Sequence, residues 1–177
     1  MQSTVRPAAR KVFASFAQRM AVGDRFRAVD AIDREIVALL QDQGRITITE
    51  LADRVQLSVS RCQRRVRTLE DDGVLRGYRA VADPTALGLG FEVLVFAALD
   101  RPGAVEAFDA AIADVPQIIE AQRLFGEPDY LIRVVSADLA AYQKLYESTL
   151  VQLPGVTGLN STIVMKHSVP LRPYPVR

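Results

Sequence analysis

Five side chains able to donate to nucleic acid crowd into one helix-length stretch. Arg61, Gln63, Arg64, Arg65 and Arg67 lie within Leu57–Leu69, a segment without a single acid. Arginine grips guanine bidentately, glutamine does the same with adenine, and an arginine also neutralises a phosphate. At 100° per residue, Val59, Cys62, Val66 and Leu69 share one face. Ser60, Arg64, Arg67 and Thr68 point the opposite way, with Arg61 and Gln63 on the flanks. Arg65 falls nearer the buried face and must lie along the surface to reach solvent. Ser58 stands where a hydroxyl can cap the first turn. The pattern fits a recognition helix, with Ser60, Arg61, Gln63 and Arg64 for base edges and nearby phosphates. Arg67 and Thr68 suit backbone contacts, which position without specifying. The alternative is an ordinary solvated helix, since arginines are common on helix surfaces.

Such a helix needs elements to hold it. Upstream, Ile32, Ile36, Val37, Leu39 and Leu40 recur at helical spacing from Asp30, and the pattern ends near Gly44. Thr47 followed by Glu50 is a capping box, opening a short helix that turns Leu51, Ala52 and Val55 inward. Thr47 and Thr49 could also donate to phosphates, although capping alone explains Thr47. Gln56-Leu57 is a tight turn, and Asp71-Asp72-Gly73 closes the arginine helix with a glycine cap. Three helices, the last two joined tightly, predict a helix-turn-helix domain over 30–73. Val74–Ala82 reads as a strand, and 74–90 as the linker. Residues 1–29 form an N-terminal extension in which Val12, Phe13, Phe16 and Met20 keep helical spacing.

Composition agrees with a division of labour. The 177 residues carry a net charge of +1, but residues 1–82 hold 15 Lys or Arg against 10 Asp or Glu. Residues 83–177 hold 7 against 11. Only the first half is suited to a polyanion. The one cysteine, Cys62, precludes an intramolecular disulfide and fits a reducing compartment. No apolar run is long enough to span a membrane, so a cytoplasmic, nucleoid-associated location is expected. Catalysis finds no support. His167 is the only histidine, and there is no glycine-rich phosphate loop, metal-spaced cluster or nucleophile–base pattern. No cofactor or metal is expected. Glu92, Asp100, Glu120 and Glu127 read as scattered surface charge.

The second half has a rhythm of its own. Strand-like runs at Phe91–Leu99, Gln117–Phe125, Tyr130–Val135 and Val156–Met165 alternate with helical patterns at Arg101–Asp114 and Asp138–Leu150. That order is βαββαβ, a ferredoxin-like domain over 91–166, making the chain α+β. Phe91 to Tyr130 spans 39 residues and Pro116 to Pro154 spans 38, so the two halves match. In this arrangement the first and third strands are central. Both are apolar on each face and need cover on each. Two helices cover one face, and a partner subunit is the simplest cover for the other, giving a two-fold dimer. A tail, 167–177, carries Pro170, Pro173 and Pro175.

Together these residues resemble the Lrp/AsnC (feast/famine) family of transcription regulators. The likeness rests on Ile32-Asp33-Arg34, Gly44-Arg45-Ile46, Glu50-Leu51-Ala52, Leu57-Ser58-Val59-Ser60, Arg64-Arg65-Val66, Leu69-Glu70, Gly73-Val74-Leu75 and Gly77-Tyr78. It continues through Asp83-Pro84, Leu87-Gly88, Gly126, Asp129-Tyr130-Leu131 and Leu153-Pro154-Gly155-Val156, covering about residues 30–166. The resemblance implies a winged-helix-like DNA-binding domain and an oligomerisation domain regulated by an amino-acid effector bound between dimers. It implies dimers built from face-to-face sheets, often assembled into octamers. The family's effector turn resembles Gly-Asp-Tyr-Asp-Tyr. Here it reads Gly126-Glu127-Pro128-Asp129-Tyr130, with Pro128 in place of an aromatic and Phe125 where a small hydroxyl residue is frequent. The implied effector set is Phe125, Gly126, Glu127, Asp129 and Tyr130, with Ser161 and Thr162 of the last strand. Asp129 would pair with an effector ammonium or else hold the turn. The expected DNA set is Thr47, Thr49, Ser58, Ser60, Arg61, Gln63, Arg64, Arg65, Arg67 and Thr68. The reading is a sequence-specific regulator bound to double-stranded DNA. The alternative is an architectural protein that wraps DNA with little sequence preference.

Overall fold

The computed structural model describes residues 29–100 and 102–176, which fall into two units. Val12, Phe13, Phe16 and Met20, whose spacing predicts a helix in the N-terminal extension, lie outside the described residues.

Unit one runs to Ala80 and is rejoined by Leu171–Val176. Helix α1, Ala31–Asp42, begins at Asp30, whose carboxylate accepts the Asp33 N–H at 2.8 Å. Helix α2, Ile48–Arg54, is capped by Thr47 Oγ1, which accepts the Glu50 N–H at 3.2 Å. The Glu50 carboxylate turns to Arg54 at 2.6 Å. The helix-turn-helix turn is tight: Gln56 takes φ 54° and Leu57 N–H returns to Ala52 O. Helix α3 is Val59–Asp71. Ile36, Leu40, Leu51, Ala52, Val55, Cys62 and Leu69 form the buried core. Beyond α3, Gly73 at φ 70° reverses the chain so that Leu75 N–H bonds Leu69 O.

Three expectations change here. Val74–Ala82 is not a strand: it pairs with nothing in the sheet, and Gly77 at φ 140° interrupts it. An extended-looking run becomes a strand only when another strand satisfies its amides. Val59, assigned to the packed face, is 41% exposed at the first position of α3. Ser58 occupies the N-cap position but its hydroxyl makes no capping bond; it lies 3.4 Å from Ser60 Oγ.

Unit two, Val81–Pro170, carries βαββαβ in the expected order. Its elements are β1 Phe91–Leu99, α4 Val105–Ala113, β2 Ile118–Arg123, β3 Tyr130–Ser136, α5 Leu139–Ser148 and β4 Val156–Ile163. The sheet order is β2-β3-β1-β4, so β1 and β3 are central, and all pairings are antiparallel. Val93, Val95, Ala97, Tyr130, Ile132 and Val134 face the helices and pack on Phe108, Ile112 and Tyr142. Phe108 and Tyr130 rings meet at 4.6 Å. Gly155 is required where it stands: its φ is 74°, and a Cβ there would collide with Ala104 Cβ.

Alternation puts the intervening residues on the other sheet face. Leu94, Phe96 and Leu131 lie there, none of them buried by the chain itself, with Glu92, Arg133, Asn160 and Thr162 around them.

Candidate nucleic-acid interface and effector turn

Helix α3 presents its polar side as the periodicity predicts. Cys62 and Leu69 are buried, and Ser60, Arg61, Gln63, Arg64 and Arg67 are exposed. Arg61, Arg64 and Arg67 pair with no acid among the described residues. Burial pushes the Cys62 thiol up, so it stays protonated and packs as a small apolar group. Thr68 Oγ1 donates to Arg64 O at 2.9 Å, so its hydroxyl proton is used within the helix. Thr47 and Thr49 are exposed at the start of α2.

Arg65 departs from its expected role. Its Nη1 donates to Asp30 Oδ2 and to Asp33 Oδ1, each at 2.7 Å. The side chain therefore faces α1 rather than the outward side of α3. The two hydrogen bonds hold the guanidinium more firmly protonated, led by that to Asp30. Asp30 is held below the usual carboxylate range, first by the Asp33 N–H and then by Arg65. A helical projection places Arg65 near the packed side, but only folding brings it residues 30 and 33.

The second candidate site is the turn between β2 and β3. Phe125, Gly126 and Glu127 are exposed, and Gly126 takes φ 138°. Asp129 is half-buried and its Oδ2 accepts the Leu99 N–H at 2.8 Å. The turn-holding alternative for Asp129 is thus occupied. Tyr130, in the expected effector set, is 1% exposed, and its hydroxyl donates to Asp109 at 2.6 Å. It is the first residue of β3, on the helix-facing side, and is part of the buried core. Ser161 and Thr162 do not share a surface. Ser161 pairs opposite Val95 on the helix side, with Tyr142 Oη 2.5 Å from its Oγ. Thr162 pairs opposite Leu94 and faces the other way. Adjacent strand residues always separate in this manner.

Sequence reasoning missed one cluster. Glu92, assigned to scattered surface charge, has a side chain only 11% exposed. Arg133 Nε donates to its Oε1 at 2.5 Å and Nη2 to its Oε2 at 3.1 Å. His167 Nε2 lies 2.9 Å from Oε2. The Arg133 hydrogen bonds, and then His167, hold Glu92 below the usual carboxylate range. The only signal in the sequence was an acid within an apolar strand.

Among the described residues no group of His, Cys, Asp or Glu is placed to hold a metal ion. No described helix is long and apolar enough to cross a membrane.

Comparison with known proteins places both units. Residues 29–76 match a family model for winged helix-turn-helix DNA-binding. Residues 92–174 match the Lrp/AsnC ligand binding domain. The chain is 38% identical over 149 residues to the Bkd operon transcriptional regulator of Pseudomonas aeruginosa, covering 83% of this chain and 97% of that one. It is 39% identical over 140 residues to the leucine-responsive regulatory protein of Escherichia coli K12, covering 78% and 85%. Among solved structures, a transcriptional regulator of Neisseria meningitidis in complex with L-Met superposes with a TM-score of 0.79. It is 33% identical and the match covers 84% of this chain and 97% of that one. A feast or famine regulatory protein of M. tuberculosis complexed with L-methionine gives a TM-score of 0.75 at 32% identity, covering 81% and 96%. With both units matched in order and relatives of this identity over most of its length, the chain belongs to the Lrp/AsnC family of transcriptional regulators.

Proposed function

We propose that the outward face of α3 reads a DNA sequence through Ser60, Arg61, Gln63 and Arg64, with Arg67, Thr47 and Thr49 on the phosphates. The observation that carries this is the set of exposed arginines on α3 with no acidic partner among the described residues. A surface guanidinium left without an internal carboxylate is available to a phosphate or a guanine edge. Arg65 is not in this set.

The protein acts as a homodimer. The support is the sheet face bearing Leu94, Phe96 and Leu131, which its own helices leave uncovered. A self-complementary apolar face of this kind suits a two-fold pairing, and two α3 helices then meet a pseudo-palindromic site. The effector is an amino acid. The support is the ligand-binding domain match and the relatives solved with L-methionine. Phe125, Gly126 and Glu127 are the accessible part of the turn that would receive it.

Competition binding at fixed salt tests the reading. A duplex enriched by the protein from a random library should bind far more tightly than a random duplex of equal length. Equal affinities would instead support a wrapping, architectural role. L-Methionine at millimolar concentration should raise the melting temperature, as any ligand preferring the folded state does.

A further inference from the structure

A recognition helix reads bases only if its roll about its own axis is set. A roll of about 10° moves the rim of a helix ~10–12 Å wide by roughly 1 Å. That is enough to spoil a bidentate hydrogen bond, whose useful distance range spans only about half an ångström. Apolar packing supplies little resistance to roll in α3. Over its 13 residues Cys62 and Leu69 are buried, Val66 packs half-buried in the same stripe, and Val59 is 41% exposed. Contacts along one line act as a hinge, because dispersion and burial have no direction.

Arg65 adds the direction. One guanidinium nitrogen bridges Asp30, the N-cap of α1, and Asp33 in its first turn, at 2.7 Å each. The Asp33 side chain is only 3% exposed, and Asp30 also caps α1 through Oδ1. The bridge is anchored where α1 itself begins. A charge-assisted bond from a planar guanidinium constrains angle as well as distance.

We propose that Arg65 is a positioning residue for DNA reading, whose ion pairs with Asp30 and Asp33 set the roll of α3 against α1. Sequence discrimination then depends on a side chain that does not touch DNA. This rests on the reading that α3 is the recognition helix.

The test measures affinity for the enriched duplex and for a random duplex over a range of salt. For Arg65→Gln, the ratio of the two affinities falls about tenfold, roughly one bidentate base contact. The salt slope on the random duplex stays unchanged. Asp30→Asn gives the same loss of ratio. Asparagine still caps α1, and removing an acid should by charge alone tighten binding to a polyanion, so a purely electrostatic role cannot produce that result. Arg65→Lys recovers part of the ratio. The assignment is overturned if Arg65→Gln leaves the ratio intact and lowers the slope by about 0.9, as a lost phosphate contact does. It is equally overturned if Asp30→Asn keeps the wild-type ratio, and this variant decides the matter if Arg65→Gln does not fold. A wild-type protein with no preference between the duplexes would remove the recognition reading and this one together.

Discussion

Asp129 and Leu99 join the turn between β2 and β3 to the end of strand β1. The carboxylate accepts the Leu99 N–H at 2.8 Å, and the Asp129 N–H donates to Ala97 O at 3.0 Å. A residue that by motif should greet a ligand thus also fastens β3 to β1. Asp129→Ala should lower stability by about 1–3 kcal/mol, because it leaves a part-buried amide without its acceptor. Asp129→Asn keeps an acceptor and should lose less than half of that. Urea midpoints check both. If Asp129→Asn keeps its stability but no longer responds to L-methionine, the charge also serves the effector.

The two helix caps of the DNA-binding unit should behave differently. Thr47 Oγ1 accepts a backbone N–H, whereas Ser58 Oγ makes no such bond. Thr47→Ala should cost about 1 kcal/mol, and Ser58→Ala should leave thermal stability nearly unchanged. Equal losses would show that Ser58 caps α3 in solution.

Arg64→Ala should weaken binding to the enriched duplex by about 1–3 kcal/mol if it grips a base edge. Arg67→Ala should weaken both duplexes alike and lower the salt slope by about 0.9. Titration against the two DNAs at several salt concentrations separates the roles. An Arg64→Ala protein with unchanged preference would move base reading to Arg61 and Gln63.

Acid should weaken unit two through Glu92. Its folded value is depressed, chiefly by Arg133, so the folded state binds fewer protons than the unfolded chain in the acid range. The contribution is fully present above the unfolded value of about 4.3 and is lost as pH falls through the lower folded value. Glu92→Gln should therefore flatten the acid limb of stability against pH, followed by circular dichroism. An identical acid limb in the variant would mean that the cluster contributes nothing to folding.

Phe96→Asp places a charge on the uncovered sheet face beside Leu94 and Leu131. Sedimentation should then report the 19.5 kDa monomer rather than a dimer, since an unpaired charge in an apolar interface is strongly disfavoured. A variant that still sediments as the wild type would place the dimer contact elsewhere.

Much of the fold was readable because its signals are local. Helical spacing located α1, α2 and α3 to within a few residues, and the βαββαβ order followed from alternation and turn residues. Thr47 was recognised as a cap because its partner lies three residues away. The outward direction of Ser60, Arg64 and Arg67, with Arg61 and Gln63 on the flanks, followed from helix geometry alone.

What folding decided was non-local. Val74–Ala82 has a strand's composition but no partner, so its backbone stays irregular. Tyr130 lies next to the motif's Asp129 yet packs toward the helices, where Asp109, 21 residues earlier, takes its hydroxyl. Ser161 and Thr162 were neighbours in the chain and separated across the sheet. Glu92 found Arg133 and His167, 41 and 75 residues away. Arg65 belongs with these. Its charge placed it in the expected DNA set although periodicity put it near the packed face, and two acids 35 and 32 residues upstream hold it in the fold. Periodicity reports which way a side chain points, because that depends only on backbone geometry. Which charge it meets depends on the three-dimensional path of the rest of the chain.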